Sequence, residues 1–573
     1  MISAKLKYSV TQLIIMVYIT RKKRKGKYYL YLEESVWING KSQRAWQKYL
    51  GPEDKLKDIK FNSLLTKHAN NVEFETIEFG CSAALWQVAE EIDLAGIIDS
   101  NTGKKRKQNL TLGEYITIAA INRCVAPCSK SKLKQWFEKD WLSTRYDIDP
   151  KVLNAQTYWN HFQYLSKKVL AQIELALGRV VVNKYDLALD SLFYDPTNFF
   201  TFSKGGKGSK LLQFGHSKEN RNGCRLVNYW LLCARESGIP LMHEVYEGNV
   251  QDAKEFKEVP QRIADRLRAL GRDPEQITLV FDKGNHSKEA FAAIDELGVG
   301  FIASRRNSTH KDLLSVPREE FIKTVLPMTK KPVEYFKTTE KIYGKERVLY
   351  VVLDPKKQKK LAAKFGEILE KRVEDIKAFF KDRLNVKKWS KREAVEKKLK
   401  AMIGKRPFAD VIKTELLGSD GNMSLNVSID EKARKAHEET LGRTILFTNR
   451  EDWTPEAVIW AYREQYIVEH AFRDMKSPTA IAIRPMYHHA DTSVRAHVFL
   501  CVLALLLLSL LRLKLARRSL SMSYDKLLHE LRSIHALKIV PSPKAKPLWK
   551  LEKIPKSASR LVRELKLKRL LTS

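Results

Sequence analysis

Apolar and polar residues alternate with two different periods along the chain, and the period changes near residue 180. Residues 17–50 alternate with the period of strands, and an Asn39-Gly40 pair between two such runs is typical of a hairpin turn. Residues 76–180 show the three- and four-residue spacing of helices. These patterns predict a small N-terminal β-hairpin module followed by a helical region.

From about residue 180, short apolar runs bounded by turn residues predict strands. The expected order is three strands, a helix, a strand, a helix and a strand. The predicted strands are 187–194, 225–234, 239–245, 277–282 and 300–304, and the first predicted helix is 252–270. This order predicts an α/β fold with a ribonuclease-H-like core, in which a mixed sheet is flanked by helices.

Residues 311–440 interrupt this plan with strand-like pieces and a long charged helical stretch, so we interpret them as a large insertion. Strand and helix patterns then resume, and Thr454-Pro455 is a favourable helix start. The predicted segments are a basic β-module and linker at 1–75, a helical DNA-binding region at 76–180, the first part of the core at 181–310, the insertion at 311–440, the second part of the core at 441–535 and a basic tail at 536–573.

Two apolar stretches require a test for membrane insertion. The run 498–511 is shorter than the roughly 20 residues that a spanning helix needs, so we expect a helix buried in the core. Residues 10–20 are short for a secretion signal and lack a small-residue cleavage site. Met1 and Met16 are alternative starts of the functional chain. We expect a cytoplasmic, nucleoid-associated protein without a membrane partner.

The charge balance favours a polyanionic partner. The chain has 103 Lys and Arg against 67 Asp and Glu, a formal net charge of +36 and a pI near 9.7. The basic residues are spread along the chain, as expected of a protein that neutralises many phosphates, and no amphipathic membrane anchor is evident. Six cysteines in 573 residues indicate a reducing compartment, and we interpret Cys124 and Cys128 as thiols rather than zinc ligands.

Three acidic residues have contexts that suit magnesium chemistry on phosphodiesters. Asp195 and Asp282 each close an apolar, strand-like run, and Glu469 lies on a predicted helix. Mg²⁺ prefers carboxylate oxygens, and a pair of cations can clamp the attacking and leaving oxygens of a phosphoryl displacement. Asp190 lies five positions before Asp195, on the opposite face of a strand, so we exclude it from the site. We interpret Asp252 as a helix cap.

Seven positions separate Tyr462 from Glu469, and seven separate Glu469 from Lys476. On one continuous helix, seven steps return a side chain to within roughly 20° of its starting direction, so the three would share a face. Tyr466 and Arg473 lie within a turn of that face. This face offers a carboxylate, hydroxyl groups and cations. The alternative interpretation is an ordinary amphipathic helix whose polar face is only exposed to solvent.

The ordered set of motifs resembles the DDE transposases of bacterial and archaeal insertion sequences, in the family-four branch with a Tyr-(2)-Arg-(3)-Glu-(6)-Lys signature. Tyr462, Glu469 and Lys476 stand at the matching spacings, whereas Gln465 occupies the position of the signature Arg. We expect Arg463 or Arg473 to supply the missing charge. The other similar segments are 194–202, 215–221, 247–252, 280–284, 484–488 and 495–498.

The resemblance implies a cut-and-paste transposase that cleaves DNA at insertion-sequence ends and transfers the strands into target DNA. Asp195, Asp282 and Glu469 would be catalytic and would hold two divalent cations, Mg²⁺ or alternatively Mn²⁺. The implied partners are double-stranded DNA, as terminal inverted repeats and as target, and a second copy of the chain in a synaptic homodimer. The candidate DNA contacts are Tyr462, Lys476, Arg473, His216, Lys218 and Arg221.

Alternatives remain open at this point. The loop with His216, Lys218 and Arg221 either contacts phosphates or only satisfies its own backbone. The same ribonuclease-H-like fold also serves structure-selective nucleases and resolvases. A third possibility is a DNA-binding protein that no longer cleaves.

Overall fold

The computed structural model describes residues 15–38, 41–53, 73–103, 109–146, 148–203, 208–221, 223–540 and 547–571. The chain divides into two compact units. Unit 1 comprises residues 1–83, 139–145 and 529–573, and unit 2 comprises residues 84–138 and 146–528. The Asn39-Gly40 turn predicted from the sequence lies outside the described residues.

The elements of the described residues are numbered in chain order. The strands are β1 Ile15–Arg24, β2 Lys27–Ile38, β3 Lys41–Pro52, β4 Glu73–Glu78, β5 Ser191–Thr201, β6 Gln213–Phe214, β7 Arg225–Ala234, β8 Pro240–Glu247, β9 Thr278–Phe281, β10 Gly300–Ser304, β11 Ile322–Val325, β12 Pro332–Ile342, β13 Lys345–Leu353, β14 Ile412–Ser419, β15 Asn422–Ile429, β16 Arg443–Thr448, β17 His535–Val540 and β18 Leu548–Leu551. The α-helices are α1 Gly80–Glu91, α2 Leu94–Thr102, α3 Leu112–Val125, α4 Leu133–Phe137, α5 Ala155–Phe162, α6 Lys167–Lys184, α7 Asp252–Glu255, α8 Val259–Ala269, α9 Lys288–Glu296, α10 Lys311–Leu314, α11 Pro355–Lys381, α12 Arg392–Ile403, α13 Phe408–Val411, α14 Glu431–Thr440, α15 Pro455–Arg463, α16 Tyr466–Lys476, α17 Asp491–Ala516, α18 Tyr524–Arg532 and α19 Ser559–Glu564.

Unit 1 contains two antiparallel three-stranded sheets, with orders β1-β2-β3 and β18-β17-β4. The predicted strands of the N-terminal module are therefore present. β1 and β2 are joined by Lys25-Gly26, with φ of 45° and 77°. Positive φ at both residues gives the two-residue turn whose twist matches that of a β-hairpin.

The helical spacing predicted for residues 76–180 is observed as helices α1 to α6. Local side-chain chemistry fixes the starts of α3 and α6. Thr111 and Glu114 form a reciprocal capping box at the start of α3, and the Ser166 hydroxyl caps α6. Both the helical spacing and these capping residues lie within short stretches of sequence, which is why the helices could be predicted from the sequence.

A ten-stranded mixed sheet forms the centre of unit 2, in the order β11-β12-β13-β16-β10-β9-β5-β7-β6, with β8 paired to β7. β7 is antiparallel to both β5 and β8, whereas β5, β9 and β10 are parallel. Nearly every residue of β7 and β10 is buried, so both faces of these strands are covered, as expected for central strands packed between helices. The predicted mixed α/β sheet flanked by helices is confirmed.

The first core strand differs from its prediction. The strand expected at 187–194 is observed at Ser191–Thr201, so Asp195 lies within it rather than at its end. Pro196, which lacks an N–H, sits in the strand opposite Trp230. Buried aromatic residues beyond it, such as Phe199, extend the pairing.

The helix predicted at 252–270 consists of two helices, α7 and α8. Pro260 lies in the first turn of α8, where its missing N–H is tolerated. The expectation that Asp252 caps this helix is wrong, since Gln251 is the N-cap residue. The Asp252 carboxylate instead accepts a hydrogen bond from the Tyr246 hydroxyl at 2.7 Å.

The segment interpreted as an insertion has two parts. Residues 322–353 form β11 to β13, which extend the central sheet because the apolar strand β13 pairs with β16. Residues 355–440 form helices and the β14-β15 hairpin around a separate apolar core that includes Leu369, Ile376 and Val395. The long helix expected there is interrupted near Asn385, where φ is 65°.

Helix α17 contains the apolar run that required a membrane test. By length and composition this helix could cross a membrane, but 89% of its most apolar window is buried inside the protein. It packs against α3 and β8. The predicted buried core helix at 498–511 is therefore confirmed, extended at both ends to Asp491–Ala516.

Truncation of α17 tests its structural role. Leu508 is fully buried, and we expect Leu508→Ala to destabilise unit 2 by about 2 to 5 kcal/mol, because it leaves a cavity in addition to lost apolar burial. Ile368→Ala on α11 is the control, since Ile368 is 39% exposed. Thermal unfolding of both variants measures the difference, and equal midpoints would contradict the role of α17.

Candidate active site

Parallel pairing of β5 with β9 brings Asp195 and Asp282 to the same level. The last residues paired in this register are Phe193 and Val280. Each acid lies two positions beyond that pair, where the neighbouring strands separate. The carboxyl ends of parallel strands face one edge of a sheet, and this edge forms the floor of the candidate active site.

Asp195 lies in a shielded and acidic environment. Its pKa is raised to about 7; burial is the main cause, Lys218 opposes the rise, and the charges of Asp282 and Glu469 add to it. Charges act on one another this way only when they share one region of the protein. The structure therefore brings together the three acids predicted from the sequence.

Asp282 accepts hydrogen bonds from two hydroxyl groups. Ser304, the last residue of β10, donates to Asp282 Oδ1 at 2.5 Å, and Tyr462 donates to the same oxygen at 3.3 Å. Burial, followed by the charge of Asp282, raises the pKa of Tyr462, so its phenol stays protonated and remains a donor. Ser304 was missed by sequence reasoning, although it ends a strand parallel to the one that precedes Asp282.

Tyr462 and Glu469 lie on two consecutive helices. α15 ends at residue 463 and α16 begins at residue 466, and the junction is tightened, with Gln465 N donating to Tyr462 O at 3.2 Å. The continuous helix expected for these residues is therefore wrong, although Tyr462 and Glu469 line the same cavity. At the junction, Glu464 is buried and forms an ion pair with Arg235 at 2.7 Å, an anchor that helical periodicity does not reveal.

Glu469 lines a cavity of about 640 Å³ that also involves Tyr462 and Gln465. Lys331, Lys357 and Arg463 are among the other lining residues. Asp354 also lines the cavity and pairs with Arg463, so Lys331 and Lys357 are the cations of this lining that suit a ligand with phosphate groups.

The donor chemistry of the three acids fits a hard divalent cation, since all three offer carboxylate oxygens. Among the described residues, no group of three or more His, Cys, Asp or Glu side chains is arranged to hold a metal ion. Asp195, Asp282 and Glu469 thus share a region without forming a closed coordination site.

Lys476 belongs to a polar cluster that spacing alone did not reveal. Its Nζ donates to Thr197 Oγ1 at 2.8 Å and pairs with Glu219 at 3.3 Å, and Arg484 pairs with the same carboxylate at 2.7 Å. Thr197 lies two positions after Asp195, on the same face of β5. We call Thr197, Glu219, Lys476 and Arg484 the Glu219 cluster. Two cations share one carboxylate, so the cluster retains positive charge beside the acids.

The loop with His216, Lys218 and Arg221 satisfies part of its own backbone, and its contact with phosphates stays a prediction. Its backbone is satisfied locally, since the Arg221 N–H donates to a serine hydroxyl of the loop at 3.2 Å. Lys218 donates to the Pro196 carbonyl at 2.6 Å and pairs with Asp252 at 2.8 Å, which fixes its ammonium group next to the first acid. The His216 and Arg221 side chains are exposed.

Two glycines hold this loop against the end of β8. A Cβ on Gly215 would lie 2.1 Å from the Gly248 carbonyl oxygen, and a Cβ on Gly248 would lie 2.2 Å from the Leu226 carbonyl oxygen. Only glycine allows such a close approach of backbones. This contact explains why the segments 215–221 and 247–252 both contain glycine.

Of the two arginines expected to replace the charge missing at Gln465, Arg463 lines the same cavity as Gln465, whereas Arg473 is largely exposed. Arg463 pairs with Asp354 at 3.3 Å. Arg473 is 64% exposed and lies 3.8 Å from Asp474. Neither belongs to the Glu219 cluster, in which Arg484 is the arginine. Arg484 belongs to the similar segment 484–488, but no local pattern of the sequence indicates its role.

Comparisons with known proteins give three findings. The family model described as "Transposase DDE domain" matches residues 191–507. The chain is similar to a piggyBac transposase, solved by cryo-EM as a synaptic complex with hairpin DNA, with 7% sequence identity, a TM-score of 0.36 and coverage of 79% of this chain and 78% of the other. No curated protein sequence matches the chain.

Proposed function

The chain belongs to the family of transposases with a DDE domain, and on that basis we propose that it is a cut-and-paste transposase, which cleaves DNA at the ends of an insertion sequence and joins the freed strands to target DNA. The observation that supports the proposal most directly is the parallel register of β5 and β9, which brings Asp195 and Asp282 to one level, where the charges of Asp282 and Glu469 both act on Asp195. These three are the proposed catalytic residues.

We propose that the three carboxylates hold two divalent cations, Mg²⁺ or Mn²⁺. When bound, such ions activate the attacking oxygen and stabilise the leaving oxygen of a phosphoryl displacement. The residues of the chain then have separate tasks. Tyr462 and Ser304 orient the Asp282 carboxylate through their hydroxyl groups.

Binding of the DNA backbone is assigned to cations around the acids. Lys476 and Arg484 are close enough to share Glu219, and a phosphate could take over one of their bonds to that carboxylate. Lys218, fixed by Pro196 and Asp252, offers a further positive charge beside Asp195. Tyr462, His216, Arg221 and Arg473 are the further proposed DNA contacts.

We further infer that the core is ribonuclease-H-like. The run β8-β7-β5-β9-β10 supports this, because three antiparallel strands are followed by two parallel ones and the first two acids lie on β5 and after β9. We also propose that two copies of the chain form a homodimer that brings the two ends of the insertion sequence together. The reaction is proposed to take place in the cytoplasm, at the nucleoid.

Metal removal and strand joining together test the reaction. With DNA that flanks the reading frame as substrate, we expect excess EDTA to abolish cleavage and added Mg²⁺ to restore it, because carboxylates alone cannot stabilise the displacement. Ends that carry a free 3′-OH should be joined to a target plasmid, which gel electrophoresis detects.

Each other outcome identifies an alternative function. Metal-dependent cleavage without joining of 3′-OH ends would indicate a structure-selective nuclease or resolvase. DNA binding without any cleavage would indicate a protein that no longer cuts. Inverted repeats around the reading frame, bordered by short direct duplications, would support the transposase.

A further inference from the structure

The tip of the β1-β2 hairpin in unit 1 is strongly basic. Six of the seven residues at 21–27 are Lys or Arg, and the seventh is Gly26. Two of these cations are neutralised locally, since Arg21 pairs with Glu53 at 2.9 Å and Lys22 pairs with Glu33 at 2.5 Å. Both ion pairs lie at the base of the tip: the first joins β1 to the residue that follows β3, and the second joins β1 to β2.

The other four cations have no such partner. Lys23, Arg24, Lys25 and Lys27 are exposed, and among the described residues none of them forms an ion pair with a carboxylate. We call these four residues the hairpin cations. Four uncompensated positive charges within five positions repel one another, so a partner that supplies negative charge would stabilise the tip.

The register gives the tip the shape of a two-stranded ribbon. β3 pairs with β2 only as far as the contact between Pro52 and Tyr29. Beyond that point only β1 and β2 continue, with Lys23 opposite Tyr28 and Arg24 opposite Lys27. Successive residues of a strand point to opposite faces, so the two pairs place cations on both faces of the ribbon.

The turn residue Lys25 and the nearby Tyr28 ring both favour a tip that presents its cations to a partner. Lys25 has φ of 45°, a conformation that Asn, Asp or Gly adopts at lower cost, so a lysine there is not explained by turn formation. The guanidinium of Arg21 lies 3.5 Å from the centre of the Tyr28 ring, and Lys23 lies 5.5 Å from it. Tyr28 thereby supports the side chains at the base of the tip.

We propose that the hairpin cations form a DNA-binding site, in which the ribbon contacts the phosphate backbone of double-stranded DNA across a groove. A two-stranded β-ribbon fits the major groove, whose two walls are rows of phosphates. The ribbon carries cations on both faces and at its turn, which matches a partner with negative charge on two sides. The inference rests on the proposed function only in taking DNA as the substrate, since the site lies in unit 1 and the acids lie in unit 2.

The test measures DNA affinity as a function of salt for the full chain in EDTA, so that cleavage plays no part. The variant combines Lys23→Ala, Arg24→Ala, Lys25→Asn and Lys27→Ala, and it keeps Arg21 and Lys22 with their ion pairs. With a labelled duplex of arbitrary sequence, the slope of log Kd against log salt should fall by about 3 to 4, because each lost phosphate contact removes about 0.9.

A matched control removes the same charge elsewhere, through Lys356→Ala, Lys359→Ala, Lys371→Ala and Lys377→Ala on α11, all of them exposed. The control should keep most of the parent slope. Equal slopes in the two variants would show that binding follows total charge and would overturn the proposal. If the fourfold variant fails to fold by circular dichroism, Lys25→Asn and Lys27→Ala alone should each lower the slope by about 1.

Two further measurements distinguish failure of the hairpin site from failure of the proposed function. A labelled single strand should show a smaller change than the duplex, and a loss confined to the single strand would overturn duplex binding. Asp282→Asn should leave the slope unchanged. An unchanged slope in the hairpin variant, together with loss of cleavage in Asp282→Asn, would refute the hairpin site and leave the proposed function intact.

Discussion

We expect Asp282→Asn to abolish metal-dependent cleavage while DNA binding persists. Asparagine keeps the size of the side chain and can still accept the Ser304 and Tyr462 hydrogen bonds, but it removes the negative charge. Divalent cations contribute several kcal/mol to transition-state stabilisation, and about 1.4 kcal/mol corresponds to tenfold, so the cleavage rate should fall about 1,000-fold or more. Single-turnover cleavage of labelled DNA measures the rate.

Asp190→Asn is the matched control. Asp190 directly precedes β5, yet its side chain is 50% exposed and lies 3.6 Å from Arg235 rather than among the three acids. Its cleavage rate should stay within about twofold of the parent, as for most surface substitutions. Full cleavage by Asp282→Asn would contradict the assignment of this acid. Loss of DNA binding together with cleavage would assign Asp282 to folding or binding instead.

The second large effect is expected at Lys476. Lys476→Met removes the cation that contacts Thr197 and Glu219 but keeps an unbranched side chain of similar length. A hydrogen bond to a charged group contributes about 1.5 to 3 kcal/mol, which corresponds to a fall of about 10- to 100-fold in the cleavage rate. The same single-turnover assay at saturating DNA separates this effect from weaker binding.

Arg473→Met on the same helix provides the comparison. Arg473 is 64% exposed and lies outside the Glu219 cluster, so its substitution should change the rate much less. Similar losses in the two variants would show that the rate depends on the total charge of α16. A normal rate in Lys476→Met would remove Lys476 from the site and leave Arg484 as the cation nearest to Glu219.

Short-range patterns explain why some elements could be predicted closely. The strands expected at 225–234 and 300–304 are observed as Arg225–Ala234 and Gly300–Ser304, because both are apolar runs that end at turn residues. The apolar run at 498–511 forms the middle of a buried helix for the same reason. In each case the decisive residues are neighbours in the sequence.

Other features depend on contacts that no local pattern contains. The Lys476–Thr197 bond joins residues 279 positions apart, and the Arg347–Asp295 bond at 2.5 Å ties β13 of the expected insertion to α9 of the core. The break between α15 and α16 lies at Glu464, a buried glutamate that forms an ion pair with Arg235. Helical spacing could not predict this ion pair, because Arg235 is distant in the sequence.

The sequence by itself determined the chemical types of the groups: three acids that follow or lie on apolar elements, a large excess of positive charge, and the periods that form strands and helices. The tertiary structure decided which of these groups meet. Parallel pairing of β5 and β9 brought Asp195 and Asp282 to one level, and a shared carboxylate joined Lys476 to Arg484. Periodicity acts over a few residues, whereas the proximity of charged groups depends on how distant segments pack.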